Sequence, residues 1–291
     1  SLNMVSSSSL EPAQLTVNFT DTEGNPVKES VVLSDNVFVG TDVDLSDEYF
    51  SSVKSVSDGV TKVYECVTDK DSVSPVMMES ANEEINIVYE LKGTYLFYED
   101  FENYNEDEAV WTSPSKVYPA LIKDNDNSYA KFTSNGKTIG TYTKFDAIDG
   151  NGGTFSVEAD VKFAPTGTAG NSQFAISSSA PGFDSNNVDY GITSTSARKS
   201  GHIIAFEYNA GSELLLNGVK LPSSFVNTWL HMDATVNFAD NTVSITVTNE
   251  LGEKETVEEA FYSDLGSDAN FGSYYIRAAK TTGTVSVDNI S

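Results

Sequence analysis

The side chains of this chain that could do chemistry are carboxylates and aromatic rings, because thiols and imidazoles are scarce. The sequence has one Cys (Cys66) and two His (His202 and His231) among 291 residues. One thiol cannot form an internal disulfide and is too few for a zinc–thiolate cluster. No P-loop, nucleophile-elbow or zinc-protease motif is present. What remains is 43 Asp+Glu, 16 Phe, 14 Tyr and 2 Trp.

The elements that must position these groups are β-strands. Apolar and polar residues alternate strictly over 154–163, and the same pattern recurs over 231–238 and 242–248. This period of two is typical of strands with one buried and one wet face. Turn pairs such as Asn217-Gly218 separate the strands, and the best helical candidate, 257–265, is short. The pattern therefore predicts an all-β protein of the sandwich or barrel type.

The charge balance excludes several partners. The chain has 17 Lys+Arg against 43 Asp+Glu, a formal net charge of −26. Such a chain repels nucleic acid and anionic membrane surfaces. No apolar run approaches the roughly 20 residues that cross a bilayer, so we expect no membrane span. With 39% hydrophobic residues the chain can build real cores, and general disorder is excluded.

Composition and strand patterns divide the chain near residues 91–93. We expect residues 1–13 to be a linker or an added terminal tail, residues 14–92 to form a small module, and residues 93–291 to form a larger one. The Ser-rich opening and the end at Ile290-Ser291 suggest a piece of a longer protein. No repeat with a period of 20 to 50 residues was found, which argues against a solenoid.

The first module has the layout of a known family. A strand at 15–21 runs into the turn Glu23-Gly24-Asn25, Val39-Gly40 follows midway, and a strand at 85–89 ends in Val88-Tyr89. This layout resembles the mucin-binding-protein-like (MucBP-like) repeats of Gram-positive surface proteins, small β-rich and Ig-like in character. The resemblance implies a spacer in a bacterial extracellular or cell-surface protein rather than a mucin-binding site.

The second module resembles a concanavalin-type, laminin-G-like jelly roll. It opens on Asp100-Phe101-Glu102, has Asn217-Gly218 before Trp229 in its middle, and closes on Asp288-Asn289-Ile290. The resemblance implies a β-sandwich that serves as a carbohydrate-binding module beside other modules of the same parent protein.

A catalytic jelly roll is not expected. The glycanases that this fold resembles carry an E-x-D-x-x-E strand whose carboxylates act as nucleophile and acid/base about 5 Å apart. Here Glu158 and Asp160 share a face, but Lys162 follows and Phe163 stands at the third carboxylate position. The acid/base is missing, and we expect a protein that is not an enzyme.

Aromatic residues in loops are the first candidates for a sugar platform, since pyranose faces stack on rings. Trp111 lies in the irregular acidic segment 105–114, and Tyr118 follows soon after. Either Trp111 is an exposed platform or it anchors this segment to the sandwich. Trp229 begins a strand, where this fold carries a packing Trp, and we expect it to be structural.

A second cluster of candidates combines rings with hydroxyl-binding groups. Long polar loops containing Asn, Asp and a ring suit sugar hydroxyls, although solvated loops have the same composition. The candidate ligand-binding residues of this cluster are Phe183, Asp189, Tyr190, Arg198, Lys199 and His202.

Net charge also bears on the ligand. A chain of charge −26 repels a polyanion such as polygalacturonate unless calcium bridges them, so we expect a neutral plant polysaccharide. Starch is the first choice, by association with bacterial surface amylase systems. No cofactor is required, but in related jelly rolls carboxylates of the first and last strands sit together. By that resemblance, Asp100, Glu102 and Asp288 could hold a structural calcium ion.

Three alternatives remain open. The chain could be an adhesin fragment that binds a host glycoprotein or protein, which an exposed apolar patch would favour. It could be a glycoside hydrolase or lyase, which needs two carboxylates facing each other across a groove. Both modules could also be spacers. In each case we expect a monomer.

Overall fold

The computed structural model describes residues 9–102, 111, 119–125, 127–133, 139–167, 171–179, 201–278 and 283–291. Contacts divide the chain into a first unit, Ser1–Phe97, and a second unit, Tyr98–Ser291. The described part is built almost entirely of strands, which confirms the all-β class. It contains no helix long and apolar enough to span a bilayer.

The first unit contains strands β1 to β7 and one short helix, α1 (Lys70–Val73), together with a single 3₁₀ turn at Asp47–Phe50. Its strands are β1 (Gln14–Asp21), β2 (Pro26–Leu33), β3 (Asp42–Val43), β4 (Val53–Ser57), β5 (Val60–Cys66), β6 (Val76–Met77) and β7 (Asn82–Tyr95).

Five of these strands form a mixed sheet in the order β2-β1-β7-β5-β4, and β3 pairs with β6 in a separate ribbon. β1 runs antiparallel to β2 but parallel to β7. The 14-residue β7 then continues beyond β1 and pairs antiparallel with β5 up to Tyr95. The boundary predicted at residues 92/93 therefore falls inside β7, whereas the contacts change at residues 97/98.

The turn between β1 and β2 is held by one carboxylate. Asp21 Oδ1 accepts hydrogen bonds from the backbone N–H groups of Glu23 and Asn25, both at 2.9 Å. The pKa of Asp21 is lowered, chiefly by the hydrogen bond from Asn25. Gly24 has φ +87°, a conformation that favours glycine. This geometry accounts for the Glu-Gly-Asn turn read from the sequence.

One face of the mixed sheet builds the core of the first unit. Alternation along β1 buries Leu15, Val17 and Phe19, which are at most 1% exposed. The Phe19 ring meets the Tyr49 ring edge to face at a centroid distance of 5.6 Å. Fully burying one such side chain contributes roughly 1.5–3 kcal/mol, so this strand anchors the unit.

The described residues of the second unit form strands β8 to β20 and two 3₁₀ turns, Ser223–Phe225 and Gly266–Asp268. The strands are β8 (Ala120–Asp124), β9 (Asn127–Thr133), β10 (Ile139–Asp149), β11 (Thr154–Ala164), β12 (Ser172–Ser177), β13 (His202–Tyr208), β14 (Leu214–Leu216), β15 (Val219–Lys220), β16 (Leu230–Asn237), β17 (Thr242–Thr248), β18 (Lys254–Ala260), β19 (Asn270–Ala278) and β20 (Thr284–Asp288).

These strands form the two sheets of a β-sandwich. The six-stranded sheet has the order β10-β19-β12-β13-β14-β15, and the seven-stranded sheet has the order β18-β17-β16-β11-β20-β9-β8. Rings join the two inner faces: Phe163 of β11 meets Phe206 of β13 at 6.3 Å, and Phe155 of β11 meets Phe271 of β19 at 5.5 Å. The fold class predicted from the sequence is confirmed.

The strands predicted from alternation are present with the predicted faces. β11, β16 and β17 cover the three predicted segments, and their inward residues, such as Met232 and Ile245, are fully buried. The segment considered for a helix, 257–265, instead completes β18 at Ala260 and continues without a helix. Cross-strand pairing of β18 with β17 outweighs its weak helical pattern.

Candidate functional site

The outer side of the seven-stranded sheet, which we call the outer polar face, carries two rows of polar and aromatic side chains. In the first row, Ser286 of β20 pairs with Lys131 on one side and with Lys162 on the other. Trp229, which comes just before β16, lies opposite Lys162 in the same row. The same registers place the second row beside it, and this row consists of Tyr129, Asp288, Asp160 and His231.

Tyr129 and Trp229 form an aromatic pair on this face. Their ring centroids are 5.1 Å apart and their planes meet at 84°. Tyr129 belongs to β9 and Trp229 precedes β16, with β20 and β11 between those strands. Because neighbouring strands lie about 4.8 Å apart, the side chains must lean toward each other across two strands. Neither residue is fully buried, so part of each stays accessible to solvent.

The backbone around Trp229 is fixed by hydrogen bonds. Thr228 Oγ1 donates to Glu250 Oε2 at 2.8 Å, and the Trp229 N–H donates to the same oxygen at 3.2 Å. Asn227, with φ +60°, donates its N–H to the carbonyl oxygen of Phe163 at 2.9 Å. These bonds tie the segment to both β11 and the β17–β18 turn. The attachment point of the Trp229 ring is therefore preorganised.

Asp288 is a buried carboxylate in the second row, only 3% exposed. Its Oδ2 accepts from Asn127 Nδ2 at 3.1 Å and its Oδ1 from the Asn289 N–H at 2.9 Å. Burial raises the pKa of Asp288 to about 7, and the charges of Asp160 and Glu102 add to the rise against these hydrogen bonds. The group is held protonated or partly protonated near neutral pH.

Asp160 is engaged with two neighbours. Its Oδ1 lies 2.7 Å from His231 Nδ1, and its Oδ2 accepts from Asn289 Nδ2 at 2.8 Å. Glu158 shares the outer face with Asp160, as the sequence predicted, and pairs directly with Asp233 on β16. These carboxylates thus lie side by side on adjacent strands.

The calcium prediction involved Asp100, Glu102 and Asp288. Glu102 is close enough to Asp288 to affect its pKa, and Glu102 Oε1 accepts from the Ser128 N–H at 2.8 Å. Asp100 Oδ1 instead accepts from the Glu102 N–H at 3.2 Å. Across the described residues, no group of three or more His, Cys, Asp or Glu side chains is arranged to hold a metal ion. The oxygen donors suit calcium, but their assembly into one site stays a prediction.

Trp111 is buried, which corrects its prediction as a sugar platform. Its side chain is 6% exposed. The ring stacks on Phe101 at 6.2 Å with an interplanar angle of 5°, and meets Tyr274 edge-on at 5.2 Å. A platform needs an exposed ring face. These contacts fit the alternative reading, in which Trp111 anchors its segment to the sandwich.

Most of the second predicted cluster lies outside the described residues, namely Phe183, Asp189, Tyr190, Arg198 and Lys199, as does Tyr118 of the first.

His202, the remaining member of that cluster, is buried with 0% exposure. Its Nδ1 lies 2.7 Å from Ser177 Oγ, and its ring stacks on Tyr275 at 5.3 Å. In this position His202 cannot contact a ligand at the surface.

The outer side of the six-stranded sheet also combines rings with polar groups. Ala175 and Ala205 lie beside Tyr275 in one row. In the adjacent row Gln173 Nε2 donates to Glu207 Oε2 at 2.7 Å. Tyr275 and Gln173 are both 0% exposed, so this surface does not offer an open platform comparable to the Tyr129–Trp229 pair.

A depression of about 570 Å³ lies farther along the outer polar face. Its lining comes from β16, β17 and β18 and includes Thr235, Asn237, Ser244 and Glu258. The described lining contains no aromatic ring, so this depression has hydroxyl and amide groups but no stacking surface.

Tyr129 is the site residue that sequence reasoning missed. The signal was present, because Ala130 and Phe132 alternate with Lys131 and Thr133. That pattern places Tyr129 and Lys131 on the outer side of a strand. As expected, the side chain of Trp229 packs against a neighbour, the Tyr129 ring. Trp229 nevertheless stays partly accessible to solvent.

No family model matches the chain, and no curated protein matches it. Among solved structures, lectin I-B4 from Griffonia simplicifolia in its metal-free form aligns at 11% identity, covering 67% of this chain and 97% of the lectin chain, with a TM-score of 0.41. The catalytic domain of a glycoside hydrolase family 131 protein from Coprinopsis cinerea aligns at 14% identity over 66% of this chain and 87% of that chain, with a TM-score of 0.39.

A sialidase aligns at 12% identity over 67% of this chain, with a TM-score of 0.42. This chain spans only 18% of the sialidase chain that it matches.

Proposed function

We propose that the second unit binds a neutral plant polysaccharide without transforming it, and that Tyr129 and Trp229 form its platform. The observation that carries the proposal is the partly exposed edge-to-face pair of these two residues on the outer polar face. Apolar faces of pyranose rings stack on such side chains. Trp229 is held in place by Glu250 and Thr228, so little conformational entropy would be lost on binding.

Polar groups beside the rings supply the hydrogen bonds that a sugar needs. Asn127 lies two residues before Tyr129 on β9, and Lys162 lies opposite Trp229 in the sheet register. Glu250, already bonded to the backbone of Trp229, offers a carboxylate next to the indole. Stacking on a ring with a few placed donors and acceptors is the usual chemistry of a sugar site.

The formal net charge of −26 favours a neutral polymer, because a polyanion would be repelled. Starch is our first choice among neutral polymers. We further propose that the chain is an extracellular, secreted or surface-attached monomer of bacterial origin, in which the first unit is a MucBP-like spacer linked to other modules. A module that binds a neutral polymer, joined to a spacer, would attach a larger protein to its polysaccharide.

Hydrolysis is the second candidate, and one observation favours it. Glu158 and Asp233 are directly paired on adjacent strands, and side chains in such pairs have Cβ atoms about 4.5–5.5 Å apart. Retaining glycosidases use two carboxyl groups about 5–5.5 Å apart. We rank binding first because the aromatic pair needs no further group, whereas hydrolysis needs an acid whose proton is aimed at the glycosidic oxygen.

Affinity electrophoresis in native gels containing soluble starch, xylan, glucomannan, β-glucan or polygalacturonate tests the proposal. We expect retardation in at least one neutral polymer, and Trp229→Ala should abolish it. The control Val56→Ala removes a 73% exposed apolar side chain from the first unit and should leave retardation unchanged. Retardation by no neutral polymer would refute the proposal. Release of reducing sugar, lost in Glu158→Gln, would favour hydrolysis.

A further inference from the structure

Two lysines flank one point of the outer polar face. Lys131 on β9 and Lys162 on β11 both pair with Ser286 of the intervening β20, so all three side chains lie in one row on the same side. Ser286 is 4% exposed, whereas both lysines are partly exposed. The α-carbons of the lysines are two strand spacings, or about 10 Å, apart. Their flexible four-carbon stems let each ammonium group approach a ligand from its own side of Ser286.

Neither lysine forms an ion pair within the described residues. Described ion pairs elsewhere join Lys70 to Asp47, Lys92 to Glu65, and Lys220 to Glu213.

The carboxylates nearest in the sheet register are Asp160 and Asp288 in the adjacent row. Asp160 is bonded to His231 and Asn289, and Asp288 is bonded to Asn127 and, with its pKa raised to about 7, only partly ionised near neutral pH. In a chain with 43 acidic residues, two like charges are thus placed together without an ion pair to either of them among the described residues.

We propose that Lys131 and Lys162 bind the carboxylate of a uronic acid carried as a side group by an otherwise neutral polysaccharide. The inference rests on the proposed function, since the polymer backbone would stack on Trp229, which lies opposite Lys162 in the same row. A carboxylate accepts hydrogen bonds from two ammonium groups at once, and such charge-assisted bonds are stronger than neutral ones. The acidic branch therefore adds affinity and fixes the register of the polymer.

The net charge and a local anion site are compatible. Screening limits the field of the acidic surface to about 8 Å at physiological ionic strength. A polyanion carries many charges into that field, but a polymer with sparse acidic branches places one charge beside two lysines. Among polymers that carry acid groups, this distinction favours a xylan with sparse uronic acid branches over a polyanion such as polygalacturonate, and starch stays the first choice among uncharged polymers.

The test compares glucuronoxylan with the same polymer after chemical reduction of its carboxyl groups, using affinity electrophoresis of the full chain. We expect glucuronoxylan to bind about three- to tenfold more tightly than the reduced polymer at low salt. The double variant Lys131→Met, Lys162→Met should bind both polymers equally, at the level of the reduced one. Lys254→Met, which removes an exposed lysine at the far edge of the same sheet, is the matched control and should behave as the wild type.

The outcomes separate this inference from the proposed function. Equal binding of both polymers by the wild type, abolished by Trp229→Ala, would overturn the lysine site and leave the platform standing. A preference for glucuronoxylan that survives in the double lysine variant would also overturn it. Binding of neither polymer would overturn the lysine site, whereas the platform would be refuted only if starch and the other neutral polymers also failed to bind.

Discussion

Asp160 and Asp288 occupy directly paired positions on two adjacent antiparallel strands, so their carboxyl groups face the same side of the seven-stranded sheet. One of them, Asp160, is bonded to His231 and remains partly exposed. The other is buried and has its pKa raised to about 7. The sandwich therefore contains a carboxyl group whose ionisation opposes folding.

The free energy of unfolding should decrease as the pH rises from about 4 to about 7. An unfolded Asp has a pKa of about 3.9, so between about pH 4 and pH 7 the folded state binds the additional proton. The free energy of unfolding then falls with rising pH and levels off above about 7. We expect the Tm measured by differential scanning calorimetry to be higher at about pH 5 than at about pH 8. Asp288→Asn should reduce this difference, and an unchanged difference would contradict the assignment.

If the predicted calcium ion binds, added calcium should offset the loss of stability that ionisation of Asp288 causes. A cation beside Asp288 would favour its ionised form, so millimolar calcium should raise the Tm more at about pH 8 than at about pH 5. Asp288→Asn should remove the effect. The control Asp233→Asn changes an exposed carboxylate of the same sheet and should retain it. A Tm independent of calcium at both pH values would reject the ion.

The two tryptophans should separate stability from binding. Trp111→Ala removes a ring that is 6% exposed and packed on Phe101 and Tyr274, and such deletions cost about 3–5 kcal/mol. Trp229→Ala removes a residue that is only partly buried and should cost less. Urea denaturation monitored by circular dichroism measures both. A larger loss for Trp229→Ala would show that its ring is mainly structural.

Gly283 should tolerate no side chain. Its φ is +83°, and a Cβ there would lie 2.1 Å from the backbone oxygen of Ala164. Gly218 has a similar φ of +82° but open space around it. Gly218→Ala should therefore cost about 1–2 kcal/mol from backbone strain alone, and Gly283→Ala clearly more. Equal losses of unfolding free energy for the two variants would contradict the predicted clash.

The sequence could predict elements whose signal is local. Alternation located β11, β16 and β17 because each has one face in the core, and the same rule would have placed Tyr129 outward. The parallel pairing of β1 with β7 could not be read in this way, because the two strands are separated by more than 60 residues and either direction buries the same side chains.

The candidate site depended on long-range contacts, which explains what the sequence missed. The irregular pattern around Trp111 predicts a residue in an exposed loop. Its ring is buried against Phe101 and Tyr274, and Tyr274 is far away in the sequence. Trp229 becomes part of a platform only because Tyr129 leans toward it across two strands. Composition indicated how many rings the chain has, whereas the sheet order decides which of them meet.

The parallel pairing of β1 with β7 has a mechanical consequence. Eight residue pairs, from Gln14–Asn82 to Asp21–Tyr89, join these two strands. Because the strands run in the same direction, tension applied between the start of β1 and the end of β7 pulls them lengthwise past each other. All of the hydrogen bonds between them would then be loaded together rather than opened one after another. The first unit is thus built to resist stretching along this direction, which is the property that the proposed spacer role would require.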